Sequence, residues 1–185
     1  MLLIMAIAFG AALVPLCGGV LRRLATLKFR GAWLLPLAYL LQIVALTSSQ
    51  GGWRGAVHVG SYVVAAGFLW FNRHIAGILV VALGAALNAV AIAANQGVMP
   101  ATANAVDGAG LAASGARFSN SAVVANAKLP FLGDIFWTPR WFPFANVFSI
   151  GDVLIAVGAV TTIHLATGSK LTRWMRRAEP ANESG

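Results

Sequence analysis

The chain has 185 residues, 59% of them hydrophobic and only 10% charged, with a net charge of +8 at pH 7. Soluble domains carry about 25% charged residues, so this composition excludes an ordinary water-soluble domain and points to lipid surroundings. The surplus cations lie scattered between apolar segments and form no basic domain, which excludes a nucleic-acid partner.

Five apolar segments follow in chain order. Met1 to Leu21 reads as a first membrane helix: it has no basic residues ahead of it, and Arg22 and Arg23 follow it, the reverse of a cleaved signal peptide. Cys17 lies within it as the only cysteine, so no intrachain disulfide can form. Ala32 to Ser48 and Ala56 to Phe71 are shorter apolar stretches with Trp33, Trp53 and Trp70 at their ends, where amphipathic rings favour a membrane interface. Ile75 to Asn95 and Ser149 to Gly168 have the length of spanning helices, about 17 to 25 residues. The expected fold class is therefore all-α, a polytopic transmembrane bundle of about five helices forming one membrane domain over residues 1–185.

Between the fourth and fifth segments, residues 96–148 are expected to form an extracytoplasmic loop. Its first part is rich in Ala, Gly, Ser and Asn, and its second, from Phe131, is dense in Phe, Trp and Pro. Aromatics at this density suit a re-entrant or interfacial cap in the outer headgroup region. Residues 169–185 form a basic tail.

Charge sets the orientation. Threading five helices alternately places Arg22, Arg23, Lys28, Arg30, Arg73, Lys170, Arg173, Arg176 and Arg177 on one side. Arg54, Arg117, Lys128 and Arg140 fall on the other, the last three in the long loop. The positive-inside rule puts the N-terminus outside and the C-terminus in the cytoplasm, and the expected location is the plasma membrane of a bacterium. The bilayer itself is the first expected partner.

Two carboxylates stand out in "LPFLGDIFWTPRWFPFANVFSIGDVL", Leu129 to Leu154. Asp134 and Asp152 each follow a glycine and precede apolar residues, and the chain holds only five acidic residues. Both fall near the outer interface. An ionisable residue in such surroundings is a functional-site candidate, and two brought close would share a proton. Structural roles compete with this reading. Ser149 and Asp152 have capping-box spacing at the start of the last helix, and Asp134 after Gly133 suits a turn.

Other polar residues carry blander readings. Gln42 and Asn88 are expected to hydrogen-bond across helices. Asn95, Gln96 and Gly97 followed by Pro100 make a helix stop. His58, His74 and His164 lack metal-ligand spacing, so neither a metal nor a cofactor is expected.

The motifs "NQGVMP" (Asn95 to Pro100), "LGDIF" (Leu132 to Phe136) and "FSIGDVLI" (Phe148 to Ile155), with "RGAWLLPLAYLLQ" (Arg30 to Gln42), resemble a family of small bacterial multi-pass membrane proteins that has no assigned activity. More locally, "DIFWTPRWFPFANVFSIGDVLIAVGAV" is similar to the C-terminal part of lipoprotein signal peptidase (signal peptidase II). That resemblance implies a catalytic dyad of Asp134 and Asp152, with Asn95 and Gly97 positioning substrate. Ser149 stands where that enzyme has an asparagine three residues before the second aspartate, with Asn146 three further back, and both are expected to contact substrate as well. The chain departs from it in lacking a Gly-Asn-x-x-Asp-Arg motif and the helix pair before the first aspartate.

Three functions follow as expectations. The first is a membrane protein with a lipid- or partner-binding site around Asp134 and Asp152. The second is an aspartyl membrane peptidase using the two as a proton-sharing dyad on a lipid or membrane-peptide substrate. The third is a proton- or ion-coupled transporter, which five helices without an internal repeat suit least.

Overall fold

The computed structural model describes residues 2–47, 53–111, 121–124 and 126–173. Its elements run α1 Leu2–Leu16, α2 Leu34–Thr47, α3 Trp53–Phe71, α4 Ile78–Ala94, β1 Met99–Ala101, α5 Ala103–Gly108, β2 Ser121–Val123, β3 Asp134–Trp137, β4 Val147–Ser149 and α6 Ile150–Thr167. Arg176 and Arg177 of the basic tail, and Arg117 of the loop, lie outside the described residues.

This architecture overturns the expected all-α polytopic bundle of about five helices. The described residues between α4 and α6 include a four-stranded mixed sheet of order β2-β1-β3-β4, with β1 parallel to β2 and β3 and with β3 antiparallel to β4. The strands are three or four residues long, too short to show the alternation that marks a strand in sequence. Of the described helices, only Ile150–Thr167 is both long and apolar enough to cross a membrane; Leu2–Leu16, Leu34–Ala45 and Ile78–Ala94 are apolar but shorter. The first segment loses its end to a turn. Pro15 lies in the last turn of α1, and Gly18 takes φ +69°, a left-handed conformation that stops the helix. In α3 the polar Arg54, His58 and Ser61 dilute the apolar run.

α4 and α6 pack antiparallel at very close range. A Cβ added at Gly158 would lie 2.7 Å from the amide nitrogen of Val81, and one at Gly84 would overlap the carbonyl of Gly151. Small residues at such crossings let backbones approach and gain dispersion contact. α1 runs parallel to α6 and is tied to it. His164 Nε2 donates to the carbonyl of Gly10 (3.0 Å), and Val20 N donates to Thr167 O (2.9 Å). The sheet closes one end of the helices, directly above the start of α6. Its own core is small, Ala101, Ala105, Val106, Ala109 and Val147.

Candidate functional site

The site lies where the sheet meets α4 and α6. Asp134 opens β3 and is in register with Ala101 of β1 on one side and Ser149 of β4 on the other. Gly133 makes this possible, because any side chain there would overlap the carbonyl of Pro100. The β1–β3 ladder has its single register pair at Ala101, directly after Pro100, whose missing N–H cannot contribute a rung.

Ser149 ends β4 and caps α6. Its Oγ accepts from Asp152 N (3.0 Å), and Asp152 Oδ2 accepts from Ser149 N (3.1 Å), a complete capping box. Asn88 of α4 joins both residues: its Nδ2 donates to Asp152 Oδ1 (2.9 Å), and its Oδ1 accepts from Ser149 Oγ (2.8 Å). Gly151 leaves room for that amide, since a Cβ there would overlap Asn88 Oδ1. The two Gly-Asp settings thus share one physical cause. Each glycine admits a neighbour that a side chain would exclude, and the aspartate beside it is set at the junction.

Asp134 is 4% exposed. Burial pushes its carboxyl up from 3.8 to about 6; a hydrogen bond from Ser121 opposes this, and the charge of Asp152 adds to the rise. Ser121 Oγ donates to Asp134 Oδ2 at 2.5 Å. The arrangement holds one carboxyl near the midpoint of its titration at mildly acidic pH, beside a second carboxylate whose two oxygens are engaged in helix capping and the Asn88 bond. It can accept or donate a hydrogen bond according to pH, and it can exchange a proton.

The remaining predicted residues fall elsewhere in the same region. Asn95 caps α4 and latches the approach to the sheet: its Nδ2 donates to Ala91 O and Lys128 O, and its Oδ1 accepts from Lys128 N. Gly97 has φ +88°, and its carbonyl accepts from His58 Nδ1 (2.7 Å). Asn146 is held by its backbone, which exchanges bonds with Thr138. Asn95, Gly97 and Asn146 therefore hold the chain in place, while Asp134, Ser149 and Asp152 are brought together. Sequence reasoning missed Ser121, which lies in a low-complexity run without a pattern to mark it. It placed Asn88 as a cross-helix hydrogen-bonding residue, and Asn88 is one. Among the described residues no three His, Cys, Asp or Glu side chains are grouped to hold a metal ion.

Around this junction β3 and the loops beside it carry exposed rings. Trp141 is 81% exposed and Phe131 61%, with Phe136, Trp137 and Phe144 also exposed.

These features define a mainly helical protein whose end is closed by a mixed sheet over a buried carboxyl, Asp134, with the half-buried Asp152 near it. The chain belongs to the family described as "Family of unknown function (DUF5317)", whose match spans residues 26–164 and includes every residue of the junction. No curated protein matches the chain, and no solved structure does.

Proposed function

We propose that this is an integral protein of the plasma membrane that binds a membrane-resident ligand, a lipid headgroup or peptide, at its sheet-closed end. Composition, the apolar helix Ile150–Thr167 and the shorter apolar helices beside it support the membrane setting. The exposed rings of Phe131, Phe136, Trp137, Trp141 and Phe144 suit the headgroup region, where such rings are favoured. The uneven distribution of Lys and Arg supports an outer position for this end.

One observation carries the binding reading: a carboxyl, Asp134, buried at the junction, bonded by Ser121 and pushed up to about 6 chiefly by that burial. A carboxyl raised by burial and by a specific charged neighbour is the kind of group that functional sites use. Wild-type protein and Asp134→Ala purified in mild detergent should differ in the lipids and peptides that co-purify. A species retained by the wild type and lost from the variant is expected. Identical profiles would refute the reading.

The coupling of Asp134 to Asp152 favours a second reading, an aspartyl peptidase. In it ionised Asp152 would draw a proton from water as that water attacks the peptide carbonyl, and neutral Asp134 would donate to the carbonyl oxygen. Against it, both oxygens of Asp152 already accept hydrogen bonds, which leaves less basicity for water. Appearance of a cleaved membrane peptide with wild type, and its absence with Asp152→Asn, would select this reading over simple binding. Transport has no observation in its favour.

A further inference from the structure

A groove far from the sheet carries an independent inference. It runs between α3 and α4, lined by Tyr62, Ala66 and Trp70 on one wall and Ala82 and Ala86 on the other, and ends at Arg73. The alanines are the reason the groove exists, since they leave empty the space that larger side chains would fill where the two helices face each other. It is a partly open cleft of ≈ 270 Å³. A thin aliphatic chain fits such a space, whereas a helix, about 10 Å across, does not.

Length and charge narrow the occupant. Tyr62 to Arg73 is eleven residues of rise, about 16 Å. Half of a bilayer's hydrocarbon core is about 15 Å, so the groove has the depth of one leaflet. Its one charged group stands at one end. The Arg73 guanidinium lies 4.2 Å from the centre of the Trp70 ring, and its NH1 donates to Trp70 O (2.9 Å). That bond uses one of five guanidinium donors, and the side chain is exposed. Among the described residues Arg73 forms no ion pair, so its charge is available to an anion. Arg73 belongs to the α3–α4 turn, at the opposite end of the helices from the sheet and Asp134.

We propose that the α3–α4 groove is a binding site for an anionic glycerophospholipid, with one acyl chain along the alanine wall and the phosphate on Arg73. This rests on the membrane setting proposed above and is independent of any ligand at Asp134. An arginine pre-placed over a tryptophan ring suits a phosphate, to which it can form two parallel bonds.

The test is native mass spectrometry of the full chain in detergent with added dioleoylphosphatidylglycerol, dioleoylphosphatidylcholine or oleic acid. Wild type is expected to retain the phosphatidylglycerol about tenfold more strongly than the phosphatidylcholine, as expected for one charge-assisted contact. Arg73→Gln should abolish that preference while residual binding persists. Ala86→Phe, which fills the groove from an exposed helix position, should lower retention of both phospholipids, with helicity checked by circular dichroism. If Ala86→Phe does not fold, Arg73→Gln decides. Loss of the phosphatidylglycerol preference on Arg73→Gln locates the anion at the α3–α4 turn, at the opposite end of the helices from Asp134, which separates this site from the one at the sheet. Equal retention of the two phospholipids by wild type would overturn the proposal, as would retention unaffected by Ala86→Phe. Oleic acid retained as strongly as phosphatidylglycerol would overturn the phospholipid assignment. A dimer lost on Ala86→Phe with lipid retention intact would give the groove to a second copy and overturn it equally.

Discussion

Asp134 stands directly opposite Ser149 across the β3–β4 pair, and Ser149 is the residue that caps α6 and carries Asp152 three positions on. Opposed residues in an antiparallel pair have Cα atoms about 4.5 to 5.5 Å apart. This single pairing brings together two aspartates that are eighteen positions apart in the chain, and it makes the sheet the device that sets their spacing.

Stability should fall as pH rises through the titration of Asp134. Its carboxyl titrates at about 6 when folded, against 3.8 ordinarily. Between those values the folded protein holds a proton that the unfolded chain has released. The stabilisation is therefore complete below about 3.8 and is lost as pH rises to about 6, amounting to about 3 kcal/mol. Apparent unfolding midpoints in detergent should be higher at pH 4.5 than at pH 7.5. Asp134→Asn should flatten that difference. A wild-type midpoint that rises from pH 4.5 to 7.5 would contradict the burial of a protonatable Asp134.

Removing the cap should cost more than removing the charge. Ser149→Ala deletes the N-cap of α6 and leaves the buried Asn88 Oδ1 without its donor, for a loss of about 2 to 4 kcal/mol. Asp152→Asn keeps one oxygen able to accept from Ser149 N but loses the acceptor of the Asn88 Nδ2 bond, and should cost about 1 to 2 kcal/mol. Denaturant midpoints in the same detergent rank the two. An Asp152→Asn loss that exceeds the Ser149→Ala loss would show that the carboxylate does more than cap.

Asn88 and Asp152 should be energetically coupled. Their bond crosses from α4 to α6, and hydrogen bonds between packed membrane helices are worth about 1 kcal/mol. A double-mutant cycle of Asn88→Ala and Asp152→Ala should give an interaction energy of that size. Additive losses would mean that the two side chains act separately.

The glycines before each aspartate should resist even the smallest side chain. Gly133→Ala drives a methyl group into the Pro100 carbonyl, and Gly151→Ala drives one into Asn88. Each should destabilise by about 1 to 3 kcal/mol through overpacking. Gly60→Ala, where a Cβ meets nothing within 4 Å, serves as the control and should be neutral or stabilising.

The helical part of the chain was legible because apolar runs of that length leave few alternatives, and each of the five runs contains a helix. Their ends were less so. Pro15 and Gly18 shorten the first helix, a local effect that the apolar run conceals. The sheet was invisible. "MPA", "SAV" and "VFS" are too short for a period, and the pairing that organises them is decided by contacts such as Gly133 against Pro100. Two matching Gly-Asp settings did mark the junction, and the capping box at Ser149 was readable from spacing alone. What spacing could not supply was Ser121, which reaches Asp134 through the fold of a stretch with no motif. The resemblance to signal peptidase II implied substrate roles for Asn95 and Gly97; their bonds to Lys128 and His58, which tie the α4 end, could not be read from spacing.

The central claim is that Asp134 is a buried, titratable carboxyl coupled to Asp152. Only three aspartates occur in the chain, Asp107, Asp134 and Asp152, so 13C-labelled aspartate gives a spectrum that single substitutions can assign. Titrating the full chain in detergent by carboxyl 13C resonance or infrared absorption should show Asp134 changing charge at about 6. In Asp152→Asn that titration should move down toward the ordinary carboxylate range. An Asp134 that titrates in that ordinary range in the wild type, with no response to Asp152→Asn, would contradict the account.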